Sequence, residues 1–175
     1  KEQPGTLWIM SVGINQYPKL PREAQLMMAV PDAAALADLF TRQGAGGLYA
    51  GVRPLRLTDA EASFSRLKLA LREIKDKATE NDTVVIFIAG HGLQDAAGTY
   101  YFPTQEVDLR NIPATALSWQ DFHSALREVR AKRVLVLADT CQSGGIVGAN
   151  KSSNDRLADM LNKQGRRLVF VASQG

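Results

Sequence analysis

The 175-residue sequence predicts an α/β domain: a mostly parallel sheet with helices on both faces. Two observations carry this. Apolar runs of strand type recur along the chain, and each is continuous rather than alternating, as strands are when both faces of a sheet are covered. Amphipathic stretches at helical spacing separate them, which is the order of elements that parallel strands with helical crossovers require. The length suits one domain with a substantial core, and neither an internal repeat nor an interior boundary interrupts it, so 1–175 reads as a single domain.

In chain order, Leu7-Trp-Ile-Met-Ser-Val-Gly13 is an apolar, β-leaning run ended by glycine and is expected at the sheet centre. Asn15-Gln-Tyr-Pro18 through Pro21 is loop, marked by its two prolines. A helix is predicted over Asp32–Gln43 from Ala33, Leu36, Ala37, Leu39 and Phe40, with Pro31 and Asp32 suited to a first turn and Gly44 to a stop. Val52–Leu57 is a short strand and Thr58-Asp59 begins a turn. Ser63–Lys77 is an amphipathic helix whose stripe is Phe64, Leu67, Leu71 and Ile74. Thr83–Ala89 is a buried strand, followed by His91 in a Gly-His-Gly turn and a polar loop to Gly98. Thr99–Phe102 is a short strand and Asp108–Leu117 is irregular. Ser118 caps a helix over Trp119–Arg130 with Trp119, Phe122, Leu126 and Val129 inward. Arg133–Ala138 is the strand that leads to Cys141. Gly144–Asn154 is loop by composition, Arg156–Gln164 a short helix and Leu168–Ala172 the last strand.

Composition narrows the classes of function. The net charge is +3, and no Lys/Arg cluster is interleaved with aromatics, so nucleic acid is not an expected partner. Arg166-Arg167 reads as a solvated helix end or turn. Apolar runs stop far below the roughly 20 residues that span a bilayer. The single cysteine excludes an intrachain disulfide. Lys1-Glu-Gln-Pro-Gly is no signal peptide, and a chain beginning at Lys1 is expected to be cut from a longer one. The protein's address is not legible, with a cytoplasmic one expected over a secreted one.

Chemistry concentrates at two strand ends. Val134-Leu-Val-Leu-Ala-Asp139-Thr-Cys141-Gln-Ser-Gly-Gly145 delivers the lone thiol, and Thr83–Ala89 delivers His91 between Gly90 and Gly92. Open α/β sheets bind ligands beyond the carboxyl ends of their strands, so one edge is expected to carry both side chains. A thiol is mostly protonated at neutral pH and the thiolate is the nucleophile; a neighbouring imidazole can take that proton and later hand it to a leaving amine. The Gly92 and Cys141 amides are candidate donors to an oxyanion. Alone, Cys141 reads as well as a small buried hydrophobe. Gly-His-Gly joined to Asp-Thr-Cys-x-Ser-Gly, each directly after a buried strand, points to catalysis. His123, in a helix beside Phe122, reads as packing or surface, and Trp8 and Trp119 as core anchors.

On these residues the chain resembles the caspase-like (caspase–metacaspase) cysteine peptidases of the three-layer caspase-haemoglobinase fold, and the bacterial metacaspase-like branch more than animal caspases. His91 and Cys141 match the dyad, Gly92 matches the oxyanion glycine, and the roughly 50-residue spacing from histidine to cysteine fits the family. The resemblance runs from Leu7 to about Ala172. It implies a large-subunit-like portion that lacks the C-terminal part of the fold, with a C-terminal small fragment as the partner that completes the groove. Animal caspases carry Gln-Ala before the nucleophile, where this chain has Asp139 and Thr140. The matching acid in metacaspases helps recognise Arg or Lys, and Ala29-Val-Pro-Asp32-Ala33 supplies Asp32 as the second acid of that pocket. Both acids also have structural readings, Asp32 on the helix dipole and Asp139 in a turn hydrogen bond. The metacaspase serine two before the histidine is Ala89 here.

The expected activity is therefore cysteine endopeptidase, cutting protein or peptide substrates after Arg or Lys. The chemistry asks for no metal and no organic cofactor. The calcium-binding aspartates of metacaspases have no convincing counterpart, and Asp95, Glu106 and Asp108 read as scattered, solvated acids. Lys151 and Arg156, in or beside the Gly144–Asp155 loop, are candidate autoprocessing sites. Two other outcomes stay open: a non-catalytic caspase-like interaction module of a larger multidomain protein, and acyl transfer or ligation by the same dyad.

Overall fold

A computed structural model of the chain describes residues 4–142 and 167–172, with side chains described for 4–140. The elements follow in the order β1 (Thr6–Gly13), α1 (Ala29–Gly44), β2 (Gly51–Thr58), α2 (Phe64–Lys77), β3 (Thr83–Gln94), β4 (Tyr100–Pro103), α3 (Ile112–Thr115), β5 (Ala116–Ser118), α4 (Trp119–Arg127), β6 (Arg133–Gln142) and β7 (Arg167–Ala172). Strands β2, β1, β3, β6 and β7 lie side by side in that order, every neighbouring pair parallel. The end of β3 then pairs antiparallel with β4, and β4 with β5, which completes a mixed seven-stranded sheet.

Strand periodicity sorts the core into two layers. Leu7, Ile9, Val85, Phe87 and Ala89 face α1, where they meet Ala29, Ala33 and Ala37. Trp8, Met10, Val12, Val84, Ile86 and Ile88 face the other way, onto Leu67, Leu71 and Ile74 of α2 and Trp119, Phe122 and Leu126 of α4. Burial on both faces is why these strands are continuously apolar. Ile9, Met10 and Ile86 are fully buried, and each such side chain contributes roughly 1.5–3 kcal/mol relative to an exposed one.

Helix α1 rides close on the sheet. A Cβ on Gly13 would stand 2.4 Å from the Ala29 carbonyl oxygen and 2.7 Å from the Ala33 Cβ, so only glycine fits there. The Ser11 hydroxyl, fully buried, donates to the Ala33 carbonyl at 2.5 Å. These contacts fix the first turns of α1 over the carboxyl end of β1.

Several boundaries differ from the sequence expectation, among them β6, expected to end at Ala138 but running on through Cys141 to Gln142. Helix α1 begins at Ala29 rather than Asp32. Pro31 is tolerated because first-turn N–H groups lack an intrahelical partner, and the Asn15 side-chain oxygen caps that turn from a distance by accepting the Val30 N–H at 3.1 Å. Strand β3 does not stop at Ala89 but runs through Gly90-His91-Gly92 to Gln94. The segment expected to be irregular holds α3 and β5. Helix α4 ends at Arg127, three residues short, while Ser118 caps it as expected by accepting the Asp121 N–H at 3.0 Å. The Gly144–Asn154 loop and the Arg156–Gln164 helix lie outside the described residues. Among the described residues no helix is long and apolar enough to cross a membrane.

Candidate active site

One register row crosses the carboxyl edge of the sheet: Thr58, Gly13, Ala89, Asp139 and Ala172 are successive partners on β2, β1, β3, β6 and β7. Two residues further on, His91 is the direct register partner of Cys141. Neighbouring strands lie about 4.8 Å apart, so the pairing sets the two backbones side by side at the edge. A rise of about 3.3 Å per residue places Asp139 about 6.6 Å deeper along β6 than Cys141. His91 and Cys141 therefore stand within paired strands rather than in turns after them.

His91 is 5 % exposed, and its position is set by the loop between β1 and α1. Its backbone N–H donates to the Tyr17 hydroxyl at 3.0 Å. Its Nε2 lies 2.6 Å from the Ala24 carbonyl oxygen. A carbonyl only accepts, so Nε2 carries the proton, and in the neutral ring Nδ1 is the basic nitrogen. The Tyr17 ring leans on the imidazole, centroids 4.9 Å apart at 39°. Burial pushes the His91 pKa down, and the bond to Ala24 offsets this only in part. The imidazole is thereby kept neutral, the state a base must be in before it takes a proton.

Asp139 is half-buried, and its pKa is raised, first by burial and second by the charge of Asp32. Asp32 is thus one of the charges that act on Asp139. Asp32 reaches it from the first turn of α1 and Asp139 from β6, two elements more than a hundred residues apart in sequence.

The glycines beside His91 have a cause that the sequence did not reveal. A Cβ on Gly92 would fall 1.8 Å from the Tyr100 hydroxyl, and one on Gly90 would fall 2.7 Å from the Tyr17 hydroxyl and 3.2 Å from the Phe102 ring. Aromatic side chains of the protein itself occupy the space that a bare strand would have left for substrate. Tyr100 is held there by a 3.2 Å hydrogen bond between its hydroxyl and that of Thr140, which is fully buried. Gly92 pairs in register with Gln142, one position beyond the His91–Cys141 pair.

The other candidates lie elsewhere. Asp95, Glu106 and Asp108 are half-buried acids, and each has a partner of its own. Asp95 accepts the N–H groups of Ala97 and Thr99 at 3.0 and 2.8 Å. Glu106 accepts the Phe64 N–H at 2.9 Å, at the start of α2. Asp108 grips Arg110 through Nε at 3.1 Å and Nη2 at 2.9 Å, and this partner holds its carboxyl down to about 2. Among the described residues no three His, Cys, Asp or Glu gather as a metal site would require. His123 is half-buried on α4. Lys151 and Arg156 lie outside the described residues.

Sequence reasoning missed the support of the histidine. Tyr17 sat in a stretch read only as loop, and Ala24 in the stretch after it, which was given no element. Ala24 acts through its carbonyl, which any residue possesses, so nothing in its identity could have marked it. Tyr17 left a faint signal, a large aromatic in a proline-bounded loop, fully buried in the structure.

A nucleophile candidate and a neutral histidine in register, at the carboxyl edge of a parallel sheet with helices on both faces, define the caspase-like α/β class. The profile of the peptidase family described as the caspase domain matches residues 8–173, nearly the whole chain, and the protein belongs to this family of cysteine peptidases. The fold is also similar to that of the protein GSU0716 from Geobacter sulfurreducens, with a TM-score of 0.63 and 15 % identity, over 97 % of this chain and 72 % of that one. No curated protein matches the sequence.

Proposed function

We propose that this chain is a cysteine endopeptidase that cleaves after Arg or Lys. The observation that carries the reading is the His91–Cys141 register pair, with the imidazole buried and its Nε2 proton committed to the Ala24 carbonyl. In this mechanism Nδ1 takes the thiol proton as sulfur attacks the scissile carbonyl. The Gly92 and Cys141 amides donate to the oxyanion of the tetrahedral intermediate. Its collapse expels the amine, which takes the proton from the imidazolium and leaves a thioester. Water, deprotonated by the same Nδ1, then releases the acid and restores the thiol. The depressed histidine pKa favours general-base activation over a standing thiolate–imidazolium pair. No step calls for a metal or a cofactor.

Asp32 and Asp139 supply the specificity. Burial and mutual repulsion make the ionised Asp139 unfavourable in the empty site, and a guanidinium or ammonium group relieves both through charge-assisted bonds. Lys151 and Arg156 are then the residues at which one copy would cut another. A Lys151→Gln variant with an unaltered fragment pattern on gels would remove Lys151 from that role.

The test uses fluorogenic Arg, Lys and Asp peptides with the wild type and Cys141→Ala. Turnover of the Arg and Lys peptides is expected to fall by at least about 10³-fold in the variant, as on loss of a nucleophile. A preference for Asp overturns the pocket, and equal turnover by Cys141→Ala overturns the nucleophile. Neither turnover nor labelling of Cys141 by a thiol-directed inhibitor would assign the chain to a non-catalytic interaction module.

A further inference from the structure

The loop between β1 and α1 contains one 3-10 turn, Arg22–Ala24, and otherwise no regular structure, yet it supplies both the Tyr17 hydroxyl and the Ala24 carbonyl to His91. Those two contacts must be held at a fixed separation for the ring to keep one orientation. Backbone bonds do part of this, from Leu20 N–H to the Tyr17 carbonyl at 2.9 Å and from Ala24 N–H to the Pro21 carbonyl at 3.0 Å. The side chain of Gln25 ties the rest together. Its Oε1 accepts the Tyr17 N–H at 2.6 Å. Its Nε2 faces three carbonyls, those of Tyr17 at 3.0 Å, Pro21 at 3.0 Å and Leu20 at 3.3 Å. One amide thus pairs both backbone groups of Tyr17, as a neighbouring strand would, and stands next in sequence to Ala24.

We propose that Gln25 is a positioning residue for His91: its amide sets the spacing between Tyr17 and Ala24 and so fixes the imidazole with its proton on Nε2. This rests on the reading of His91 as the general base. Asn15 fastens the other end of the same loop. Its side-chain N–H donates to the Met27 carbonyl at 3.0 Å, its carbonyl accepts the Leu26 N–H at 2.8 Å, and its own N–H is held by the Asp59 carboxylate at 2.8 Å. With that end fixed, and with Tyr17, Leu20 and Ala24 buried as apolar anchors, loss of the Gln25 amide leaves the loop docked but lets the Ala24 carbonyl drift from Nε2. The proton is then free to move to Nδ1, and a ring protonated there cannot accept the thiol proton at that nitrogen.

The test is made in the intact protein with Gln25→Met, which keeps the length and bulk of the side chain and removes only its hydrogen bonds. Imidazole nitrogen NMR in a Cys141→Ala background reads the His91 tautomer, with the His91 signals identified by their loss in His91→Asn. The wild-type background is expected to show the Nε2–H form, and Gln25→Met a mixture of both tautomers. In the enzyme with Cys141 present, kcat on an Arg peptide is expected to fall by about 10²-fold with KM within about twofold, the pattern of a misplaced catalytic group. A tautomer as pure in Gln25→Met as in the wild type overturns the proposal whatever the activity. Should Gln25→Met fail to fold, Tyr17→Phe carries the test, since it keeps the ring and removes the hydroxyl on the His91 N–H; an unmixed tautomer with unchanged kcat then counts against the proposal. Equal turnover by Cys141→Ala overturns the peptidase reading, while the tautomer measurement still decides the role of Gln25.

Discussion

Asp82 and Asp139 are carboxylates sunk into opposite ends of the same parallel sheet, and their surroundings push them in opposite directions. Asp82 stands where β3 begins and is 5 % exposed. Burial raises its pKa, but its donors together outweigh that and hold the group below its usual range. They are the N–H groups of Thr79 at 2.8 Å and Thr6 at 2.7 Å and the Trp8 indole at 3.1 Å. Asp139 stands where β6 reaches the carboxyl edge. It is raised by burial and by Asp32, and among the described residues none donates to it. The protein consumes the charge of Asp82 internally, to join β1 and β3. In the proposed reading, that of Asp139 is left for the basic side chain of a substrate.

The largest effect expected from breaking this contrast is at the structural end. Asp82→Ala strands the Thr6, Thr79 and Trp8 donors, at a cost of about 3 kcal/mol. For a chain of this size the melting temperature falls by about 6–12 °C in calorimetry. The kcat and KM of the folded fraction stay at wild-type values. A second change sharpens the other side: Asp139→Asn lowers kcat/KM for an Arg peptide by about 10²-fold, the worth of one charge-assisted bond, with no loss of melting temperature. A drop in stability with unchanged kinetics would make Asp139 a second Asp82.

The smallest effect is in the pH dependence of stability, where the two groups carry opposite signs. A lowered carboxylate stabilises the fold above its unfolded pKa, and that stability is lost as pH falls through the folded value. The deficit of Asp82→Asn against the wild type is therefore present at pH 7 and shrinks in acid. A raised carboxylate opposes folding once ionised. Asp139→Asn therefore gains on the wild type at pH 7, and the gain disappears as pH falls below the ordinary Asp value of about 3.9. Chemical denaturation curves at neutral and acid pH measure both.

The parallel sheet was legible because burial on both faces writes itself into unbroken apolar runs, Thr83–Ala89 and Arg133–Ala138 among them. The placement of His91 and Cys141 at one edge of the sheet was legible because each follows such a run. Their direct register was not, since it depends on strand order, which no local pattern encodes. The continuation of β3 past Ala89 was hidden by Gly90 and Gly92, residues that locally weaken a strand. Tyr17, Tyr100 and Phe102 fill the space over those glycines, and two of the three reach it from elements later than β3. Strand β5, only three residues long, offered too few positions for a period to show. The electrostatic influence of Asp32 on Asp139 depends on the close seat of α1 on Gly13, a contact between a helix and a strand whose glycine read merely as a stop.

The position of β3 between β1 and β6 also sets an order of events during synthesis. The groups that brace His91 come from Tyr17 and Ala24, 74 and 67 residues earlier in the chain, whereas its register partner Cys141 follows fifty residues later. Pairings of such long range must close large loops before any contact rewards them, and they form slowly. A growing chain can therefore hold a fully braced imidazole on β3 while β6 is still being made. The strand that carries Cys141 pairs beside it only when the crossover from β3 to β6 has closed, so the proposed dyad of a nascent chain stays incomplete until its sheet is wide enough to include both.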